Sequence, residues 1–130
     1  MIQETRRSVA GIVSRDEKIL VARRLPGGAI GGKWEFPGGK VEKGESDEEA
    51  LIREFQEELS VRVRIGPLLA QTRFVHADKE VSLSAYSVYL ESEKLELREH
   101  SELSWLAADA FPSLDLVQSD RSLLGLLGLE

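Results

Sequence analysis

The sequence predicts one α+β domain, and three observations support that fold class. The chain of 130 residues is 42% hydrophobic and 31% charged, as expected for a globular protein with a buried core. β-rich segments bounded by turn signals lie on both sides of a strong helical pattern at residues 47–59. No internal repeat, linker or low-complexity block interrupts the chain, so we expect residues 1–130 to form a single domain.

The composition argues against several classes of protein. There is no cysteine, which excludes disulfides, thiolate metal sites and cysteine nucleophiles. No apolar run approaches the roughly 18 residues of a membrane span, and the N-terminus lacks a signal-peptide pattern, so we expect a cytoplasmic protein without a membrane partner. The net charge of −6 argues against binding of duplex nucleic acid but not of small nucleotides. Both a monomer and a homodimer are compatible with this composition.

The first part of the chain predicts a β-hairpin. Residues 1–5 are expected to be a loose end, although Ile2 could begin a strand. A polar turn at residues 14–17 joins two β-rich segments, residues 7–13 and 18–22. These two segments should pair with each other as the strands of the hairpin.

A flexible loop should follow this hairpin. The second strand ends at Arg23 and Arg24, and residues 25–33 contain four glycines without any periodicity. The segment WEFPGG at residues 34–39 then leads into a sharp turn, because proline and paired glycines do not continue a strand. The loop should therefore lie near the helix that follows this turn.

Residues 47–59 are predicted to form the principal helix. Ser46 followed by Glu49 is a capping box, in which each side chain bonds to the backbone N–H of the other residue. Apolar residues recur at the 3.6-residue period and should form the face that packs on the core, namely Leu51, Ile52, Phe55 and Leu59.

The rest of the chain predicts a second, longer hairpin and a terminal helix. The hairpin should turn at residues 76–79, between an extended segment that Gly66-Pro67 interrupts and the alternating segment 81–90. Short strands are expected at residues 95–97 and 104–106, and a helical turn at 107–110. A leucine-rich helix should begin at Ser119 or Asp120, weakened by Gly125 and Gly128.

Three carboxylates share one face of the principal helix. Glu54, Glu57 and Glu58 stand at i, i+3 and i+4, and Arg53 is the only cation inside the helix. Like charges at this spacing each cost about 0.2–0.5 kcal/mol in an isolated helix. Their oxygen atoms suit Mg²⁺ or Mn²⁺ rather than softer metals. A solvated acidic face is the alternative interpretation of these three residues alone.

The spacing around these carboxylates resembles the Nudix box, GX5EX7REUXEEXGU, where U is a bulky aliphatic residue. Gly39, Glu45, Arg53 and the three glutamates all stand at the specified positions. Two positions depart from the pattern, because Phe55 replaces an aliphatic residue and Ser60 replaces a glycine at the helix end. Neither departure removes a charged position.

The resemblance implies a fold and a metal site. The fold would be the Nudix fold, an α/β/α sandwich in which the Nudix-box helix and a C-terminal helix flank a mixed β-sheet. The metal ligands would be Glu54, Glu57 and Glu58, with the Gly38 carbonyl as a possible further ligand. The family's internal ion pair would join Glu45 to Arg53 and tie the loop to the helix.

The similarity to the MutT-type branch of this family extends beyond the box and implies further site residues. Arg24 would bind the substrate phosphates, with Arg23 and Lys40 as weaker candidates for the same role. Glu99 matches a loop glutamate that joins the metal cluster as a ligand or a general base. His100 is expected to be structural or solvent-exposed, and His76 to lie on the surface. Solvated roles for the arginines and for Glu99 stay open.

The same resemblance places base recognition at the start of the last helix. Asp120 is the matching position, although an N-cap role explains it equally well and Asp115 is a weaker rival. Phe36 could stack on the base or lie in the core. An ionised aspartate only accepts hydrogen bonds, so it favours a base that donates them, such as guanine, 8-oxoguanine or cytosine.

The resemblance therefore implies a cytoplasmic, Mg²⁺-dependent nucleoside triphosphate pyrophosphohydrolase, with Mn²⁺ as a possible substitute. Such an enzyme would cleave a (d)NTP to the (d)NMP and pyrophosphate. We expect 8-oxo-dGTP to be the favoured substrate, with CTP or dCTP next. Hydrolysis of 8-oxo-dGTP removes an oxidised nucleotide from the pool used for DNA synthesis, a DNA-repair role. Pyrophosphate removal from the 5′ end of RNA, or a module that binds a nucleotide without cleaving it, are further alternatives.

Overall fold

A computed structural model describes residues 3–130, with side chains from Arg6 onward, so Ile2 lies outside the described residues. The chain forms eight strands, one long helix and two short helices over this range. The elements are β1 (Gln3–Ile12), β2 (Ser14–Arg15), β3 (Lys18–Arg24), β4 (Trp34–Glu35), β5 (Gly38–Lys40), α1 (Asp47–Leu59), β6 (Val63–His76), β7 (Lys79–Leu90), β8 (His100–Ala107), a 3-10 turn (Ala108–Ala110), α2 (Gln118–Arg121) and α3 (Leu124–Leu127). None of the described helices has the length and apolar character needed to span a bilayer.

The strands form two four-stranded sheets. One has the order β5-β1-β7-β6 and is mixed, because β1 runs parallel to β7 while its other pairs are antiparallel. The other is antiparallel, with β3 flanked by β2, β4 and β8. The predicted pairing of the first two strands along one hairpin is wrong, because β1 and β3 lie in different sheets, but its turn is present and the Leu20 N–H donates to the Val13 carbonyl at 3.0 Å. Within the described residues only β2 makes a two-residue ladder with β3, because the chain crosses from one sheet to the other after Ile12.

The sheets bury apolar residues on both faces, which explains the alternation along β1. Val9 and Val13 pack with α1, whereas Ala10 and Ile12 pack with the C-terminal segment. β3 divides its residues in the same way, since Leu20 joins the first cluster and its neighbour Val21 joins the second. The predicted α+β class, with a mixed sheet between the long helix and the C-terminal helices, is confirmed.

Helix α1 has the predicted bounds and the predicted capping box. The Ser46 hydroxyl accepts from the Glu49 N–H at 3.1 Å, and the Glu49 carboxylate accepts from the Ser46 N–H at 2.9 Å. The predicted core face is wrong at Ile52, which is 40% exposed, and Glu58 lies on the buried side instead. Ser60 takes the left-handed conformation with φ 53°, so it ends the helix in the geometry usual for glycine.

The second half of the chain contains the predicted long hairpin. β6 and β7 pair from Val63 opposite Leu90 to His76 opposite Lys79, and Gly66-Pro67 shifts the register without ending the strand. The predicted strand at residues 95–97 is wrong, because that segment is a loop. β8 is longer than the predicted three residues because it pairs along the whole of β3.

The C-terminal segment is helical but broken. A continuous helix from Ser119 or Asp120 is wrong, since α2 and α3 are single four-residue turns separated by Ser122 and Leu123. Leu123 is fully buried and anchors this break against the core. The segment therefore covers the sheet with two short turns, and α2 brings Asp120 to the edge of a cavity.

Candidate active site

Two glycines on β5 allow the long helix to approach the sheet closely. Gly39 pairs with Val9 on β1, and a Cβ atom at position 39 would lie 2.7 Å from the Glu54 Cδ atom. Gly38 has φ 150°, and a Cβ atom there would collide with the Val9 carbonyl oxygen. Glycine at position 39 therefore lets the Glu54 carboxylate rest against the backbone of β5.

Arg53 ties the loop after β5 to helix α1. Its Nε donates to Glu45 at 2.8 Å and its Nη2 donates to the other Glu45 oxygen at 3.0 Å, so the expected ion pair is present and bidentate. The same guanidinium donates to Glu54 at 2.7 Å and to the Lys40 carbonyl at 2.9 Å. Its hydrogen bonds, together with a backbone bond from Glu42, lower the pKa of Glu45 to about 2.

Glu58 is the most deeply buried of the three helix carboxylates. The residue is 3% exposed, and its Oε1 atom is buried without a hydrogen-bond partner among the described residues. Burial holds the pKa of Glu58 well above its usual range, and Glu54, Glu35 and Glu99 raise it further. Glu57 is different, because its side chain is 50% exposed and lies 3.4 Å from Arg53.

Two residues that the sequence did not mark as functional complete this cluster. Glu35 on β4 and His100 on β8 lie 2.7 Å apart, and His100 Nε2 is also 4.0 Å from Glu58 Oε1. The His100 side chain is 3% exposed and bonded to Glu35, so of the two expected roles, structural or solvent-exposed, solvent exposure is wrong. The second Glu35 oxygen accepts from Arg24 at 3.0 Å. Glu35 thus connects a candidate phosphate-binding arginine to the carboxylate cluster.

The donor set of the cluster fits a divalent cation. Glu35, Glu58 and His100 offer ligand atoms that all lie within 4.8 Å of one another. Glu54 lies close enough to Glu58 to raise its pKa. The Glu58 oxygen that is buried without a hydrogen-bond partner among the described residues is the ligand atom that a hard cation would bind, and such a cation would stabilise the ionised form of Glu58.

A cavity of about 840 Å³ opens beside this cluster. Arg24, Gly39 and Lys40 line it near the carboxylates, and Asp120 lines it on α2. The two candidate arginines are successive residues of β3, so their side chains point to opposite faces of the sheet. Arg23 does not line the cavity. Its Nε donates to the Gly32 carbonyl at 2.9 Å.

Asp120 is a buried carboxylate rather than an N-cap. It is the third residue of α2, whose N-cap position is Val117 and has no side-chain cap bond. Its Oδ2 accepts from the Phe36 N–H at 2.8 Å, and the residue is only 6% exposed. Burial, and next the charge of Glu35, raise the pKa of Asp120 to about 7 although the Phe36 N–H opposes this shift.

The other candidates lie at varying distances from this site. The Phe36 ring packs on Phe111, with centroids 5.9 Å apart, and the residue is 3% exposed, as expected for a core residue, while it also contributes to the cavity lining. Asp115 is solvent-exposed and pairs with Lys33 at 3.1 Å outside the cavity lining. Glu99 is exposed just before β8, and its charge reaches Glu58. His76 is exposed, as expected, at the rim of the cavity.

Comparisons with known proteins agree with this geometry. The CTP pyrophosphohydrolase of Escherichia coli (strain K12) is 36% identical over 116 residues, which cover 89% of this chain and 86% of that protein. The 8-oxo-dGTP diphosphatase of Proteus vulgaris is 38% identical over 80 residues, which cover 61% of this chain and 71% of that protein.

Solved structures show the same similarity along nearly the whole chain. The E. coli ORF135 protein superposes with a TM-score of 0.88 at 33% identity, covering 97% of this chain and 90% of that one. A MutT protein from Methanosarcina mazei Go1 superposes with a TM-score of 0.84 at 25% identity, covering 98% and 96%. The family model described as the NUDIX domain matches residues 4–127. The chain therefore belongs to the Nudix family.

Proposed function

We propose that this chain is a MutT-type nucleoside triphosphate pyrophosphohydrolase that cleaves a (d)NTP to the (d)NMP and pyrophosphate. The observation that carries the proposal is the juxtaposition of the buried Glu58 cluster with the cavity that Arg24 and Asp120 line. The protein would act on free nucleotides in the cytoplasm, with residues 1–130 as one domain. No role in binding duplex nucleic acid is part of this proposal.

The carboxylate cluster would hold Mg²⁺, with Mn²⁺ as a substitute. Glu54, Glu57 and Glu58 would supply the helix ligands, and Glu99 and the Gly38 carbonyl would complete the set. When bound, the cation neutralises phosphate charge and lowers the pKa of a bound water. Because Glu99 is exposed and close enough for its charge to act on Glu58, it is suited to accept the proton of the attacking water.

The cavity would orient the nucleotide from its phosphates to its base. Arg24 would grip the phosphates with its guanidinium, which Glu35 already holds at 3.0 Å, and Lys40 would add a second positive charge. Arg23 is directed to other partners, so Arg24 is the better candidate. Glu45 and Arg53 would keep the loop and helix in register without touching the substrate.

Asp120 would read the edge of the base. Its raised pKa means that near neutral pH it can accept a hydrogen bond as a carboxylate or donate one as an acid. A carboxyl group with both abilities suits a base whose edge carries a hydrogen-bond donor next to an acceptor. The names of the two relatives support both candidate substrates, 8-oxo-dGTP as the favoured one and CTP or dCTP as the alternative.

Pyrophosphate release in Mg²⁺ from 8-oxo-dGTP, dGTP, CTP, dCTP and a 5′-triphosphorylated RNA tests this assignment. We expect kcat/KM for 8-oxo-dGTP to exceed that for dGTP by about tenfold, a difference of about 1.4 kcal/mol in the transition state. Asp120→Ala should reduce this preference, and Glu57→Gln should abolish release. A protein that binds nucleotides but releases pyrophosphate from none of them would overturn the proposal.

A further inference from the structure

A second cleft, of about 490 Å³, lies next to the catalytic cavity and is strongly basic. Five cations line it against one acid, Glu42, although acidic residues outnumber basic ones in the chain by 23 to 17. The five cations are Arg6, Arg7, Lys40, Lys43 and Lys79. Such a concentration of one sign on a chain of net charge −6 produces a local positive field.

The topology explains why these side chains meet. β5 is only three residues long and ends at Lys40, after which the Val41 N–H bonds to the Arg7 carbonyl at 2.9 Å. The chain then turns away toward helix α1, and the first residues of β1 continue past the end of β5. Lys79 reaches the same place from the start of β7, where it pairs opposite Gln3.

Most of this positive charge has no ion-pair partner among the residues whose side chains the structure describes. Arg7 lies 3.5 Å from Asp47 and donates to the Glu45 carbonyl, so its charge is balanced. Among the residues whose side chains are described, the other four cations of the cleft make no ion pair: Arg6, Lys40, Lys43 and Lys79. Glu42 is itself shared with Arg53 at 3.7 Å. A ligand with several negative charges would balance this cluster.

The lining of the cleft indicates a phosphate group without a nucleoside. Among the described residues that line the cleft, Val41 is the only large apolar one and none is aromatic. Bases of a bound strand would need such faces for stacking. The cleft shares Arg6 and Lys40 with the catalytic cavity, so the two adjoin at these two cations.

We propose that this basic cleft binds inorganic pyrophosphate, the anion that the proposed reaction releases. This inference rests on the proposed function, because the pyrophosphate would be the product of that reaction. The residues that distinguish the site from the catalytic cavity are Lys43 and Lys79, which do not line that cavity. Pyrophosphate bound in the cleft would hinder the release of the next pyrophosphate from the catalytic cavity.

Isothermal titration of the protein with inorganic pyrophosphate tests the inference. The double substitution Lys43→Gln/Lys79→Gln should weaken binding by about tenfold, and should raise the inhibition constant of pyrophosphate by a similar factor. Lys18→Gln/Lys94→Gln is the matched control, because it removes the same charge from two exposed lysines outside both cavities. The control should bind pyrophosphate as the unchanged protein does.

Equal pyrophosphate affinity in the cleft variant and the control would overturn the inference. So would a variant that loses affinity for a 5′-triphosphorylated oligonucleotide while its pyrophosphate affinity is unchanged, since the occupant would then be a strand. Nucleotide hydrolysis by the unchanged protein is measured separately. If the proposed function is wrong, the hydrolysis assay shows no pyrophosphate release. If the cleft does not bind pyrophosphate, the titration shows equal affinity in the cleft variant and the control.

Discussion

Gly39 sets the position of Glu54 because no larger residue leaves room for that carboxylate. A Cβ atom there would lie 2.7 Å from Glu54 Cδ. We expect Gly39→Ala to displace the carboxylate and lower kcat/KM by about 100-fold, since a displacement of about 1 Å in a site can have an effect of that size. Steady-state kinetics measures the loss, and a thermal melt shows that the variant is folded. Activity close to that of the unchanged protein would refute this account of Gly39.

The Glu45–Arg53 pair should make stability depend on pH in the acid range. The pKa of Glu45 falls from about 4.5 to about 2 on folding. Its stabilising effect is therefore complete above the unfolded value and is lost as the pH falls from about 4.5 to about 2. We expect the difference in Tm between the unchanged protein and Glu45→Gln to be largest at pH 7 and to shrink across this window. A difference that stays constant down to pH 2 would show that the pair does not act through ionisation.

The sequence predicts the residues of the helix and its loop better than it predicts their neighbours. Glu45, Arg53 and Glu54 stand at fixed spacings within one loop and one helix, so their proximity follows from local structure. Glu35 and His100 are 65 residues apart and meet only because β4 and β8 both pair with β3. The register places Glu35 opposite Ala22 and His100 opposite Arg24. No local pattern reveals such a long-range pairing.

The two-residue strand β4 has a larger role than its length suggests. Its Glu35 accepts from Arg24 and lies against His100, and its Trp34 bonds through the backbone to Asp115 and Val117 before α2. β4 therefore connects Arg24, the proposed phosphate ligand, to the segment that carries Asp120, the proposed base reader.

Removal of the Glu35 side chain should affect stability and substrate binding together. We expect Glu35→Ala to lower the free energy of unfolding by about 1–3 kcal/mol, because the buried His100 loses its partner. The KM for the nucleotide should rise by about tenfold as Arg24 loses its support. Urea unfolding and steady-state kinetics measure these two effects.

Glu102→Ala is the matched control for this prediction. It removes the partner of Arg23, 3.4 Å away, where both side chains are about half exposed. A surface pair of this kind contributes about 0–1 kcal/mol, and KM should stay unchanged. Equal effects of the two substitutions on KM would show that Glu35 does not position Arg24.

Periodicity predicts where strands and helices lie but not which partners they take. The β6–β7 hairpin and helix α1 were predictable because turn residues and a capping box mark their ends. The pairing of β1 was not, because residues 7–22 have the same local pattern whether the strands join one sheet or two. The C-terminal break at Leu123 likewise depends on a buried tertiary contact that overrides the leucine periodicity.

The distribution of charge over the protein also depends on the fold. A net charge of −6 predicts an acidic surface, yet the folded chain separates a carboxylate cluster around Glu58 from a basic cleft around Lys43. Both features adjoin one cavity, the cluster through Glu35 and the cleft through Arg6 and Lys40. The sequence reveals the first through helical spacing, whereas the second gathers residues from three separate segments of chain.

The buried carboxylate cluster is proposed to be a divalent-metal site, and thermal unfolding of Glu58→Gln in a Mg²⁺ titration tests that role most directly. Without metal, the variant should melt at a higher temperature than the unchanged protein near neutral pH, because burial raises the pKa of Glu58 and its carboxylate must take up a proton on folding, whereas glutamine need not. Saturating Mg²⁺ should raise the Tm of the unchanged protein by about 5 °C or more. The exposed control Glu48→Gln should keep this increase, and Glu58→Gln should lose it. An equal increase in Glu58→Gln, or none in the unchanged protein, would contradict the account.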